Sequence, residues 1–179
     1  GIDTIEASGE ADDSTASSGG SVHTITVSDA TINDVRTIDL DASLDEDSTG
    51  NVDASGVSAG LKIFGVAAGN NTLEGGSGAD SIVGGSAADT ITGNAGVDTL
   101  VGAGGDDTYT YSTSAEFVTG TAVVDTINDS AGTDRVLIDG AISIAGTQSL
   151  ARAGGIDTIE ASGEADDSTA SSGGSVHTI

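Results

Sequence analysis

The chain contains no cysteine, proline, methionine or tryptophan, and its only aromatic residues are Phe64, Tyr109, Tyr111 and Phe117. Without cysteine there is no disulfide framework, no thiol chemistry and no thiolate-bound zinc. Without Met, Trp and most aromatics, the side chains that fill an ordinary isotropic core are missing. Basic residues are scarce too: 4 Lys+Arg stand against 29 Asp+Glu, a formal charge of −25. That surplus repels nucleic acid and anionic lipid and argues against both as partners. No apolar run approaches the ~20 residues of a membrane-spanning helix, so membrane insertion is not expected. The residues from Gly1 onward show no charged and apolar stretch that reads as a targeting signal. High charge with modest hydrophobicity lies close to the composition of disordered chains, so a fold needs something, such as multivalent cations, to offset the charge.

What the sequence has is repetition. Residues 1–25, GIDTIEASGEADDSTASSGGSVHTI, recur without a change at 155–179, an offset of 154 residues. His23 and His177 are therefore one histidine met twice. Setting aside the second copy's five acids (Asp157, Glu160, Glu164, Asp166 and Asp167) leaves 24 acids and 4 bases, or −20 per unit. The recurrence points to a segment of a long tandem array whose units are covalently joined. The bland alternative is an artefactual duplication of one end.

A shorter period runs inside the unit. From Gly75 to Thr110 the chain divides into four nonapeptides, GGSGADSIV, GGSAADTIT, GNAGVDTLV and GAGGDDTYT. Position six is Asp80, Asp89, Asp98 and Asp107, and position eight is Ile82, Ile91, Leu100 and Tyr109. The position-eight phase stays apolar at Phe64, Leu73, Val118, Ile127 and Val136. Position six stays acidic at Glu116, Asp125 and Asp134 and is Asn71 upstream. Glycines at positions one, two and four permit a tight turn with positive φ. The next residues, such as Ser81-Ile82-Val83, form a very short strand with its middle side chain inward. Thr90, Thr99 and Thr108 suit extended, half-exposed sites. Such strands cannot stand alone, so successive turns must stack on one narrow core. A core one aliphatic residue wide accounts for the rarity of aromatics.

The four units resemble the RTX (repeats-in-toxin, haemolysin-type) calcium-binding family, whose unit is GGxGxDxUx with U a large apolar residue. The departures are Ala87 at position four and Asn94 and Ala103 at position two. The resemblance implies an all-β fold, a right-handed parallel β-roll or β-solenoid with calcium-binding glycine-rich turns and two nonapeptides per turn. It implies Ca²⁺ ligands from Asp80 and Asp98 on one side of the roll and Asp89 and Asp107 on the other. Carbonyl oxygens would come from the turns containing Gly75, Gly76 and Gly78, Gly84 and Gly85, Gly93 and Gly96, and Gly102 and Gly105. Oxygen ligands on flexible loops suit Ca²⁺ better than Mg²⁺. A weaker site is expected at Asn71 with the Asp89 turn, because Asn adds no charge. Glu116, Asp125 and Asp134 lack the full glycine turn and read equally as exposed acids on outward faces.

Outside the nonapeptides the pattern alternates. Ile38 and Leu40 oppose Asp39 and Asp41, and Thr24–Val27, Val52–Ala54, Leu61–Phe64, Val136–Ile138 and Ile142–Ile144 read as half-buried strands. No stretch has the pattern of a capped amphipathic helix. Gly9–Gly20 is a polar loop candidate, and the IDTI at 2–5 and 156–159 echoes the six/eight spacing, as if starting a new set of coils. The expected organisation is irregular solenoid coils over 1–65, an RTX roll over 66–137 with clear nonapeptides at 75–110, connecting strands over 138–154, and the start of the next repeat at 155–179. At ~18 residues per coil the unit would make roughly eight to nine coils and rise roughly 40 Å. Tyr109, Tyr111 and Phe64 are expected to plug the wider ends of the roll.

Chemistry has little to stand on. The acidic run from Asp45 to Gly50 opens like a D-x-D-x-x-G calcium loop, but Gly56 stands where the bidentate Glu belongs, so a solvated turn is the simpler reading. His23 has no second ligand and reads as an exposed loop histidine. Paired carboxylates on a solenoid could cleave polysaccharide, yet only Arg36, Lys62, Arg135 and Arg152 are available to bind it, so no enzyme activity is expected. The expected function is a calcium-stabilised structural repeat of a long extracellular fibre, adhesin stalk or surface-layer protein. Copies of the chain itself, in tandem and laterally, are the expected partners. The resemblance adds export of the unfolded chain through a type I system and folding on external Ca²⁺. The alternatives are an RTX export and folding module of a secreted enzyme, or a solenoid surface for glycan or ice. The last would need flat arrays of outward Thr, and Thr here alternates with Asp and Ser.

Overall fold

The computed structural model describes residues 4–6, 22–28, 36–40, 48–119, 122–139, 153–161 and 176–178. The upstream strands are β1 (Thr4–Glu6), β2 (Val22–Ser28), β3 (Thr37–Asp39), β4 (Thr49–Gly56), β5 (Lys62–Phe64) and β6 (Thr72–Glu74). The regular nonapeptides supply β7 (Ser81–Gly85), β8 (Thr90–Thr92), β9 (Thr99–Ala103) and β10 (Thr108–Tyr111). One helical turn, α1 (Ser114–Phe117), and a hairpin of β11 (Val118–Thr119) and β12 (Ala122–Val123) come next. The chain then forms β13 (Thr126–Asn128), β14 (Asp134–Ile138), β15 (Ala153–Gly154), β16 (Ile156–Ala161) and β17 (Val176–Thr178).

Successive strands alternate between two sheets. A seven-stranded sheet runs β1-β3-β5-β7-β9-β13-β15, all parallel, and an eight-stranded sheet runs β2-β4-β6-β8-β10-β14-β16-β17, parallel until β17. This is an all-β parallel solenoid, as the period of the repeats predicts. The middle residue of each short strand faces inward. Ile38, Ile63, Ile82, Leu100 and Ile127 form a column under the first sheet, and Val52, Leu73, Ile91, Tyr109 and Val136 one under the second. All ten are buried. Each buried aliphatic side chain contributes about 1.5–3 kcal/mol, and the core is only the width of the two facing columns.

The structure departs from the period at several places. Ile63, not Phe64, takes the inward position opposite Ile82, because the turn from Gly65 to Asn71 is one residue longer than its successors. Phe64 lies beside Val83, half-buried, and plugs nothing; Phe117 instead packs on Tyr111 with ring centroids 5.1 Å apart. Val118 sits in the β11–β12 hairpin rather than on a coil. Asp98 pairs with Asp125, and Asp107 with Asp134, across 27 residues rather than the 18 of the regular coils. The inserted α1 and hairpin are thus one nonapeptide long, which keeps Ile127 and Val136 in phase. Coils outside the regular block are longer, so the expected eight to nine are not reached: the seven-stranded sheet is about 30 Å deep at ~4.8 Å per strand. His23 lies on β2 rather than in a loop. Thr72, Thr90 and Thr108 do stack in register, but the column stops at Asn51 and Arg135. The candidate loop at 9–20, the acids at 45–47 and the 142–144 strand lie outside the described residues.

The duplicated segment supplies strands at opposite ends of the solenoid. Residues 4–6 form the first strand of the seven-stranded sheet, and their copies, 158–160, lie in β16 near the far end of the other sheet. Residues 22–24 pair parallel with β4, whereas residues 176–178 pair antiparallel with β16.

Two of the departures from the glycine pattern sit in the left-handed region, Asn94 at φ 64° and Ala103 at φ 81°. Asn tolerates that conformation through its short polar side chain, whereas a Cβ in Ala strains it. Ala103→Gly is therefore expected to raise stability by about 0.5–1 kcal/mol, read from thermal or urea unfolding in saturating Ca²⁺.

Candidate metal centre

The position-six side chains turn into the solenoid edges and form two ladders. On one edge the Leu61 N–H donates to Asp80 Oδ1 (2.8 Å), the Asp80 N–H to Asp98 Oδ1 (2.7 Å) and the Asp98 N–H to Asp125 Oδ1 (2.8 Å). On the other, the N–H of Asn71 donates to Asp89 Oδ1 (2.7 Å), that of Asp89 to Asp107 Oδ1 (2.8 Å) and that of Asp107 to Asp134 Oδ1 (2.9 Å). The Asp134 N–H then donates to Asp157 Oδ2 (2.9 Å), which gives the IDTI segment a rung of its own. Asp80 and Asp98 thus share one edge and Asp89 and Asp107 the other. Asp125 and Asp134 are buried rungs, which overturns the outward-face reading for both. Glu116 is on neither ladder; it accepts from the N–H and hydroxyl of Ser112 beside α1.

The glycines of the turns are required by close approach more than by φ. A Cβ on Gly75, Gly84, Gly93 or Gly102 would run into the Oδ2 of Asp80, Asp89, Asp98 or Asp107, respectively. Gly76 and Gly85 lie against the backbone carbonyls of Val57 and Ala67 one coil earlier. Gly78 packs on Gly60, Gly96 on Gly78 and Gly105 on Ala87, the last two with φ of 146° and 97°. The turns therefore stack directly, leaving no room for side chains between them.

Burial leaves a deficit of partners. The Oδ2 atoms of Asp89, Asp98 and Asp107 are buried with no hydrogen-bond partner. Desolvation, reinforced by neighbouring carboxylates, pushes Asp89 up to about 6 and Asp98 and Asp107 up to about 7 and raises Asp134, and desolvation alone raises Asp80. A buried carboxylate oxygen without a donor is costly, and an oxygen-only donor set suits a hard cation. Asp89, Asp98 and Asp107, with the carbonyls of their turns, fit Ca²⁺ on that ground.

The first rung of each ladder is satisfied differently. Asp80 Oδ2 accepts the Gly76 N–H at 2.8 Å. Asn71 Oδ1 accepts the N–H groups of Val66 and Gly50, which fixes the amide's orientation. Its Nδ2 then donates to Gly69 O (2.8 Å), Asp89 Oδ1 (2.9 Å) and Val66 O (3.0 Å). The expected weak site at Asn71 is thus filled by the amide nitrogen, a donor set among the oxygens. At the far end Tyr111 OH donates to Asp125 Oδ2 (3.0 Å) and Tyr109 OH to Asp129 Oδ2 (2.7 Å). Asp129 is absent from the sequence pattern because it stands where position one holds Gly. The frame still reads through it as DSAGTDRVL, with Gly132, Asp134 and Val136 at positions four, six and eight.

Residues 67–100 and 74–109 match the RTX calcium-binding nonapeptide repeat family (4 copies). Residues 67–109 are an RTX calcium-binding block. No curated protein and no solved structure matches the chain. The RTX block coincides with the most regular coils and contains all three partnerless oxygens. The solenoid continues on both sides of it, and the ladders continue downstream through Asp125, Asp134 and Asp157.

Two outcomes follow for the metal-free chain. The raised carboxylates bind protons in the folded state that the unfolded state, near pH 4, has already lost. Metal-free stability is therefore highest at or below about pH 4 and falls as pH rises through the window up to about 7. With Ca²⁺ present the trend reverses, because protons compete for the same oxygens; melting curves at pH 5 and 8, with chelator and with Ca²⁺, read both slopes. Asn71→Asp removes the amide donor and adds a buried charge, so metal-free stability should fall by about 1–3 kcal/mol. Added Ca²⁺ should recover most of it in the same melts.

Proposed function

We propose that this chain is a calcium-stabilised structural repeat of a long extracellular fibre, adhesin stalk or surface-layer protein, without catalytic activity of its own. The observation that carries the reading is the set of partnerless buried carboxylate oxygens on the two ladders of the solenoid. When bound, Ca²⁺ supplies the positive charge those oxygens lack. The chain's own residues do the rest: the ladders set the coil register, the glycines let turns close on one another, and the aliphatic columns exclude water. Because these oxygens converge only in the folded state, binding and folding are one equilibrium. Self-repulsion among the acids favours the unfolded chain where Ca²⁺ is scarce, which suits export before folding. No helix among the described residues is long and apolar enough to cross a membrane.

The tandem-array part of the reading is supported by the placement of the duplicated segment at opposite ends of the solenoid. Residues 4–6 and their copies at 158–160 occupy different sheets, so one unit spans an odd number of half-coils. In a collinear array each copy is then turned by half a coil about the axis relative to the last, and the outer edge of β16 receives the next coil rather than β17.

Two measurements test the reading. Circular dichroism should show low β content in chelator and a cooperative gain as Ca²⁺ is added; an unchanged spectrum would sink the calcium role. Electron microscopy of a chain carrying several 154-residue units should show straight rods that lengthen by about 30 Å per unit, with successive units related by about half a turn. Units that fold as separate beads or pack side by side would overturn the array.

A further inference from the structure

Resting on the calcium reading above, we propose that the last cation site of the RTX block is of a different make from the others: Asp107, within the block, shares it with Asp129 and Asp134 beyond its end, so that it is built on three carboxylates. One carboxylate oxygen of each lies within 4.8 Å of the others, a spacing that a single hard cation with ligands at about 2.5 Å can bridge. All three side chains are buried, at 1% exposure for Asp107, 2% for Asp134 and 9% for Asp129.

The independent pointer to a ligand is Asp107 Oδ2. It is buried, has no partner, and faces the same point above Gly102 that Asp129 Oδ2 faces. The remaining oxygens are held by the fold. Asp107 Oδ1 and Asp134 Oδ1 accept ladder N–H groups, and Asp129 Oδ1 accepts the N–H of Ser130 at 2.8 Å. Tyr109 positions Asp129: its hydroxyl donates to Asp129 Oδ2 and accepts the Gly102 N–H, both at 2.7 Å. The nearby Arg135 does not neutralise the cluster. Its side chain reaches Thr108 Oγ1 (3.1 Å) and Glu160 (3.7 Å) on the outer face. Where the earlier turns carry Gly at position one, this turn carries a carboxylate, which adds a full charge to the donor set. Affinity for hard cations rises with ligand charge, so this site should fill before those of the earlier RTX turns and should favour a trivalent ion.

Terbium(III) provides the probe, since a lanthanide beside a phenol is excited through it and the chain has no Trp. Tyrosine-excited terbium emission of the full chain should show a first saturating phase that Ca²⁺ displaces. Asp129→Gly restores the residue type of the other turns, so the coil can still close. It should abolish that phase, or weaken it roughly tenfold or more, while the calcium-induced β signal persists. Tyr109→Phe removes the hydroxyl that positions Asp129 and should dim the emission and move the first phase to higher terbium concentration. Tyr111→Phe, beside Asp125 on the other ladder, should leave the first phase in place. If Asp129→Gly keeps the first phase at the same terbium concentration while the chain still folds on Ca²⁺, the three-carboxylate site is overturned and the calcium-module reading stands. If neither ion binds or changes the fold, both fall.

Discussion

A carboxylate that reaches back one coil to the backbone N–H of its own counterpart is the contact on which this solenoid depends. It sets the 18-residue register of the regular coils, because only a residue at the same place in the next coil can make the bond. In the four regular turns it demands glycine at position one, where the second carboxylate oxygen occupies the space of a Cβ. It also brings negative charge into the stack in successive layers, which no protein of this composition can neutralise with 4 basic residues. Register, glycine content and charge are one constraint seen from three sides.

The ends and the middle of the ladders meet that constraint differently. Asp80 is closed by two backbone N–H groups and Asn71 by its own amide, while Tyr109 and Tyr111 donate to carboxylates at the far end. Between them Asp89, Asp98 and Asp107 keep an oxygen with no donor. The one turn with the full glycine pattern, that of Asp80, closes its own second oxygen, and the three turns that depart from it, at Ala87, Asn94 and Ala103, leave theirs unmet. The same oxygens that destabilise the metal-free chain are those that fit a cation, so the weakness of one state is the stability of the other.

Much of this was legible from residue spacing. The nonapeptide frame of Gly75–Thr110 carries the stacked short strands and the inward positions of Ile82, Ile91, Leu100 and Tyr109; the RTX resemblance carries the alternation between sheets and the grouping of Asp80 with Asp98 and Asp89 with Asp107. It failed where length and phase come apart. One extra residue in the turn after Phe64 moved the inward position to Ile63. An insert of one nonapeptide's length hid a helix turn and a hairpin behind an unbroken phase at Val118. Asp129 escaped because an acid in glycine's place looks like the end of a repeat rather than an added ligand.

By itself, then, the sequence determined the parallel stacked fold, the narrow aliphatic core and the burial of acids in nine-residue phase, because strands this short have no other way to bury an apolar side chain. Only the tertiary structure decided which oxygens find a donor. That depends on what the neighbouring coil presents, an N–H, an amide, a phenol or nothing. Apart from donors within the same turn, such as Gly76 to Asp80, those neighbours lie 14 to 27 residues away along the chain, beyond the reach of any local pattern.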